Sequence, residues 1–252
     1  MFTLIGTTVS GVSSGTQARR DSSLDLIKWL AMLSMVIDHS RYLWPQAEAW
    51  LFFLGRLAFP LFCLGIAANV CRSRPGQLFT DANGRYLAWL VAFSVVSELP
   101  YRLLSTESST LNIMPTLLIG LLVAWGVHHQ GRHGLLLGLL SLTLAAVMHE
   151  RLMYGVFGAL VPAALVIAIQ RPGLAWLLPA LLCVLANSRN RWAEGWSGEV
   201  VGISIAAEFA APLIGLWLLR TTITWRIWSV TRWGYFFYPV HLLVLASIRA
   251  GL

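Results

Sequence analysis

The chain has 252 residues, of which 57% are hydrophobic and only 12% charged, with a mean hydropathy of +0.70 and a formal net charge of +7. Soluble globular domains carry about 25% charged residues, so the composition excludes a soluble fold and predicts an all-α, polytopic integral membrane helix bundle. Lys28 is the lone lysine beside seventeen arginines. In a membrane chain such a bias reports topology and contact with anionic headgroups, and no basic cluster interleaved with aromatics marks a nucleic-acid surface.

Residues 1–23 read as a disordered arm rich in Ser, Thr and Gly. Arg19 and Arg20 follow its weakly apolar start, and no small-residue cleavage site comes after an apolar core, so a signal peptide is not expected. The first span then serves as an uncleaved anchor. Residues 24–252 read as one transmembrane domain of about nine helices, at 24–43, 50–70, 85–104, 112–128, 134–149, 154–170, 173–187, 200–219 and 232–250. Pro162 and Pro179 are expected to kink their helices. Ten arginines fall on the side of the N-terminus (Arg19, Arg20, Arg72, Arg74, Arg85, Arg132, Arg171, Arg220, Arg226, Arg232). Seven fall on the other (Arg41, Arg56, Arg102, Arg151, Arg189, Arg191, Arg249), which predicts a cytoplasmic N-terminus and an outer C-terminus. Trp44, Trp50, Trp192, Trp196, Trp225, Trp228 and Trp233 lie near span ends, as an aromatic belt requires. Cys63, Cys71 and Cys183 read as small core residues without a disulfide framework. His128, His129 and His133, beside Arg132, read as a solvated cytosolic loop. No carboxylate or Cys completes a metal site there, and no metal is expected.

The first span, LDLIKWLAMLSMVIDHSRY, carries the informative charges. Ionisable residues inside a spanning helix are costly and point to function. Lys28 and His39 are eleven residues apart, so they share one helical stripe with Met32 and Met35 and stand roughly 16 Å apart along the axis. A cation at one membrane face and an imidazole toward the other suit a long ligand with an anionic head. Alternatively, Lys28 snorkels to the cytosolic surface and marks topology. Asp38 is expected to pair with Arg56 on the second span, which leaves His39 as a base able to take and return a proton. Glu98 and Arg102, at i and i+4, form either a structural pair or part of an acceptor site. Glu208 falls mid-span eight, and His241 mid-span nine after Pro239. Nearly all intramembrane charge apart from Lys28 sits in the outer half or at the centre, which predicts a polar cavity open to the outer side. No HExxH, GxSxG or phosphate-binding loop is present.

Three motifs carry a family resemblance. The pattern K-x-x-A-x-x-x-M-V-x-D-H from Lys28 to His39, the segment WLFFLGRLAFPLF at 50–62 and the ending FFYPVHLLVLA at 236–246 resemble signatures of the TraX family. That family comprises pilin acetylases of F-type conjugative plasmids and the related TrbP proteins. Between about residue 85 and 220 the likeness is hydrophobicity alone. More distantly, a basic residue eleven positions before a His resembles the membrane acyltransferase-3 family, in which the His is taken as catalytic.

The resemblance implies an acyltransferase-like domain over 24–252. It also implies transfer of acetyl from acetyl-CoA to the N-terminus of a pilin subunit in the bacterial inner membrane, in contact with other conjugative transfer proteins. Lys28, helped by Arg85 or Arg232, would hold phosphate. His39 would accept the amine proton, Asp38 would hold Arg56, and Arg56 or His241 would stabilise the oxyanion. Glu98, Arg102 and Glu208 are candidate acceptor contacts by membrane depth. Other outcomes remain open: O-acetylation of a cell-surface glycan, a transporter with a proton relay, or a non-enzymatic pilus or secretion assembly factor.

Overall fold

The computed structural model describes residues 22–188 and 197–251. Most of the expected arm and the loop residues Arg189, Arg191, Trp192, Glu194 and Trp196 lie outside the described residues. The described residues are all helix and connection, without a strand. The helices are α1 (Ser22–Ser40), α2 (Glu48–Gly55), α3 (Ala58–Arg72), α4 (Asp81–Val96), α5 (Glu98–Leu104) and α6 (Ile113–His129). They continue with α7 (Gly131–Val147), α8 (Gly155–Gln170), α9 (Leu177–Asn187), α10 (Gly198–Arg220) and α11 (Trp233–Gly251). Three apolar stretches, Ala49–Arg72, Asp81–Leu104 and Gly198–Arg220, are long enough to cross a membrane. The chain is a membrane protein.

Two of the expected spans are broken, and proline places both breaks. A helical proline lacks its N–H and clashes with the carbonyl four residues earlier. Four residues before Pro60 is Arg56, in the break between α2 and α3. Four before Pro100 is Val96, where α4 ends and α5 begins. Pro162 and Pro179, where kinks are expected, both lie within helices. α8 runs through Pro162 as one assigned helix, and Gly120 gives the ring room, since a Cβ there would stand 2.7 Å from the Pro162 ring. Pro179 sits in the first turn of α9, where its missing N–H is not needed.

Connections alternate between two faces. On one face the start of α1 meets the chain after α10, through Ser23 Oγ donating to the Thr221 carbonyl at 2.6 Å. On that same face His128 at the end of α6 lies 2.9 Å from the Ser73 carbonyl and 3.0 Å from Gln170 Nε2. On the other face Tyr42 reaches Ser105 at 3.2 Å, the Leu111 amide donates to Arg151 at 2.8 Å, and Arg249 donates to the Leu104 carbonyl at 2.6 Å. α1 and α11 therefore run in the same direction, both starting at the first face. These contacts also correct the reading of 128–133: His128 and His129 are buried on the last turn of α6, and the turn into α7 is made by Gln130 at φ 53° and Gly131 at φ 64°.

Candidate functional site

α1 delivers Asp38 and His39 to opposite sides. Asp38 turns toward α2, where its Oδ1 accepts from Arg56 Nη2 at 2.9 Å and lies 3.5 Å from Arg41 Nη1. Arg56, 4% exposed, also donates through Nε to the Phe52 carbonyl at 3.1 Å and through Nη1 to Asn187 Oδ1 at 2.6 Å. Asn187 in turn donates to the Cys183 carbonyl at 3.0 Å. The guanidinium lies 3.7 Å from the Phe52 ring centroid, a cation–π contact. This node clamps α1, α2 and α9 together. Gly55 is a condition of it, because a Cβ there would stand 2.4 Å from the Asp38 Cβ.

His39 turns the other way, toward α11. Its Nδ1 lies 2.8 Å from His241 Nε2, with ring centroids 5.0 Å apart. His241 Nδ1 lies 3.0 Å from the Phe237 carbonyl. A carbonyl only accepts, so His241 carries its proton on Nδ1 and offers a lone pair at Nε2. His39 must then donate from Nδ1, which leaves the lone pair on its Nε2. The pair fixes the tautomer of His39 and orients the ring, as a carboxylate does for the histidine of a hydrolase triad.

A cavity of about 160 Å³ lies between α1, α3, α4, α6 and α11. Along α1 its wall is Lys28, Met32 and Met35; along α11 it is Gly234, Tyr235 and Tyr238. Both stripes end one turn short of the histidines, Met35 before His39 and Tyr238 before His241. The Tyr238 and His241 rings are 5.6 Å apart. The stripe expected from Lys28 to His39 is therefore a cavity wall aimed at the His pair. Lys28 Nζ donates to the Val230 carbonyl at 3.2 Å and stands 3.9 Å from Asp25, and Asp25 accepts the Val230 amide at 3.1 Å. Arg85 and Arg232 are exposed and do not line the cavity, although their chain neighbours Tyr86 and Thr231 do.

The remaining candidates lie elsewhere. Glu98 and Arg102 pair at 2.7 Å, and Glu98 Oε2 also accepts from the Asn112 amide at 3.0 Å and from its side chain at 2.7 Å. Arg102 donates to the Ser108 carbonyl as well, so the two brace the α5–α6 connection. Glu208, 5% exposed in mid-α10, makes no hydrogen bond or ion pair with the described residues and lies within electrostatic reach of Arg56. The His pair and the Asp38 node thus collect His39, His241, Asp38 and Arg56, with Glu208 behind Arg56 and Lys28 at the far end of the cavity. Asn187, Gly55 and Tyr238 escaped sequence reasoning. An isolated Asn, Gly or Tyr in an apolar span carries no signal until its neighbour across the bundle is known.

The family model described as TraX protein matches residues 23–249. The chain belongs to the TraX family. A similar relative is the probable fimbrial assembly protein FimC, serogroup H1, of Dichelobacter nodosus, 25% identical over 92% of this chain and 98% of that protein. Protein TraX of Escherichia coli is 26% identical over 89% of this chain and 86% of its own length. Protein TraX of Escherichia coli strain K12 is 37% identical over 27% of this chain and 26% of its own length. No solved structure matches. The family match spans all three motifs that carry the resemblance, and with them both histidines of the pair.

Proposed function

We propose that this TraX-family chain is an acetyltransferase of the bacterial inner membrane that moves acetyl from acetyl-CoA to the N-terminal amine of a pilin subunit. The observation that carries the reading is the His39–His241 pair, tautomer fixed, one helical turn beyond a cavity that begins at Lys28. The names of the relatives, a protein TraX and a fimbrial assembly protein, support a pilin as acceptor. The larger share of arginines on the Lys28 face supports a cytoplasmic N-terminus, and in this reading the Lys28 face meets acetyl-CoA where it is made.

In this reading Lys28 meets the phosphates of the donor while the pantetheine arm lies along Met32 and Met35. The acceptor amine approaches from the outer side as the free base and attacks the thioester carbonyl. His39 Nε2 takes a proton from the amine nitrogen as the C–N bond forms. The C–S bond breaks, and the imidazolium returns that proton to the thiolate, giving the amide and free coenzyme A. His241, with one nitrogen accepting from His39 and the other donating to Phe237, has no N–H to offer an oxyanion, so its part is orientation. Arg56 directs three N–H groups to Phe52, Asn187 and Asp38, and its part is to hold α1 in place.

The test is the intact mass of a co-expressed pilin subunit, with the wild-type chain and with His39→Ala. An acetyl mass that disappears with His39→Ala at normal membrane level of the variant is the expected result. Unmodified pilin in both cases removes pilin as the acceptor, and acetylated pilin in both removes His39 as the essential base.

A further inference from the structure

The cavity wall between Lys28 and Met35 is mostly apolar, with Thr231 and Tyr235 on the α11 side and Asn69 and Tyr86 on the α3 and α4 side. Leu61, Phe62, Ile66 and Leu90 line it from α3 and α4, and among them stands the amide of Asn69. Asn69 lies near the end of α3 and Tyr86 just past the first turn of α4, and both line the cavity. Among the described residues neither side chain makes a hydrogen bond that meets ordinary geometry. A primary amide has two N–H donors and an oxygen with two lone pairs. Leaving most of that capacity unmet against an apolar wall costs free energy, which a polar ligand in the cavity would recover. The pair sits at the Lys28 end, just inside the face where α1 starts, and the apolar stretch toward Met35, Met114 and Tyr238 lies beyond it.

We infer that Asn69 and Tyr86 form a polar subsite that binds the pantoyl hydroxyl and adjoining amide of a pantetheine thioester. This rests on the acetyl-CoA reading and adds a recognition element to it. Lys28 meets the phosphates, and Asn69 with Tyr86 meets the first polar groups of the arm. The apolar remainder of the cavity then guides the β-alanine and cysteamine portion toward His39. Asn69 carries no sequence signal for this part, since one amide in an apolar run reads as packing.

Three donors separate the contributions: acetyl-CoA, S-acetylpantetheine, which lacks the phosphates, and S-acetyl-N-acetylcysteamine, which lacks the pantoyl group and its amide as well. Transfer to the pilin subunit is measured in proteoliposomes for the wild type, Asn69→Leu, Tyr86→Phe and Lys28→Met. Asn69→Leu should raise KM about tenfold for acetyl-CoA and for S-acetylpantetheine, the worth of one hydrogen bond, with kcat unchanged. Tyr86→Phe should move KM in the same direction for the same two donors. Neither variant should change transfer from S-acetyl-N-acetylcysteamine, whereas Lys28→Met should weaken acetyl-CoA alone. Unchanged KM for all donors in Asn69→Leu overturns the subsite. An equal loss on the shortest donor also overturns it, because that marks a packing role. A wild-type protein that transfers acetyl from none of the three overturns the acetyl-CoA reading itself, and the subsite with it.

Discussion

Asp38 and His39 follow one another on α1, yet a rotation of about 100° per residue sends them into different surroundings. Asp38 enters a node with Arg56 and Arg41 and, through Arg56, Asn187. His39 enters a pair in which one ring nitrogen is held and the other keeps its lone pair. Charge that is buried and matched fixes helices in place; a polar group held by one atom and open at another is equipped for chemistry. Both kinds of site cost free energy in a bilayer.

The contrast is broken most severely at Arg56. Arg56→Met leaves the Asp38 carboxylate beside only Arg41, and should destabilise the protein by about 3–5 kcal/mol, read as a fall in the thermal unfolding midpoint in detergent. The double variant Asp38→Asn/Arg56→Met should recover much of that loss, because it removes the uncompensated charge. Gly55→Ala attacks the same node sterically. Its Cβ would stand 2.4 Å from the Asp38 Cβ, and the expected cost in the same unfolding assay is about 1–3 kcal/mol.

The His pair sharpens the comparison from the other side. His241→Ala removes the acceptor that fixes the His39 tautomer, and should slow transfer about tenfold with little change in unfolding midpoint. His241→Gln, whose carbonyl oxygen accepts a hydrogen bond, should restore part of the rate. Recovery by Gln distinguishes orientation from chemistry performed by His241 itself. The smallest effect belongs to Arg102, whose side chain is more than a third exposed. Arg102→Ala should cost under about 1 kcal/mol and leave the transfer rate alone.

Much of this architecture was legible in the residues. Apolar runs located the helices, and the eleven-residue spacing of Lys28 and His39 placed both on one stripe, which lines a cavity as far as Met35 and carries His39 one turn beyond it. The Asp38–Arg56 pair was also readable, because two opposite charges in adjacent apolar spans are too costly to leave apart. The partnership of His39 with His241 was not, since 202 residues separate them and only the parallel run of α1 and α11 brings them together. Arg56 also carried too little information by itself. A buried arginine near a candidate base reads equally as an oxyanion contact or a clamp, and Asn187 on α9, unmarked in the sequence, favours the clamp. The interior positions of His128 and His129 were missed for a related reason. The partners of His128, the Ser73 carbonyl just past α3 and Gln170 on α8, lie far from it in sequence.

The most direct test sets the two neighbours' environments against each other in one experiment. The rate of acetyl transfer from acetyl-CoA to pilin is measured per folded molecule for wild type, His39→Ala and Arg56→Met, at a temperature where all three remain folded. The account predicts that His39→Ala loses on the order of 10²–10⁴-fold, the usual worth of a positioned base, while Arg56→Met stays within a few-fold of wild type. A His39→Ala protein that keeps its rate, or an Arg56→Met protein that loses it while still folded, would contradict the division between the chemical pair and the structural node.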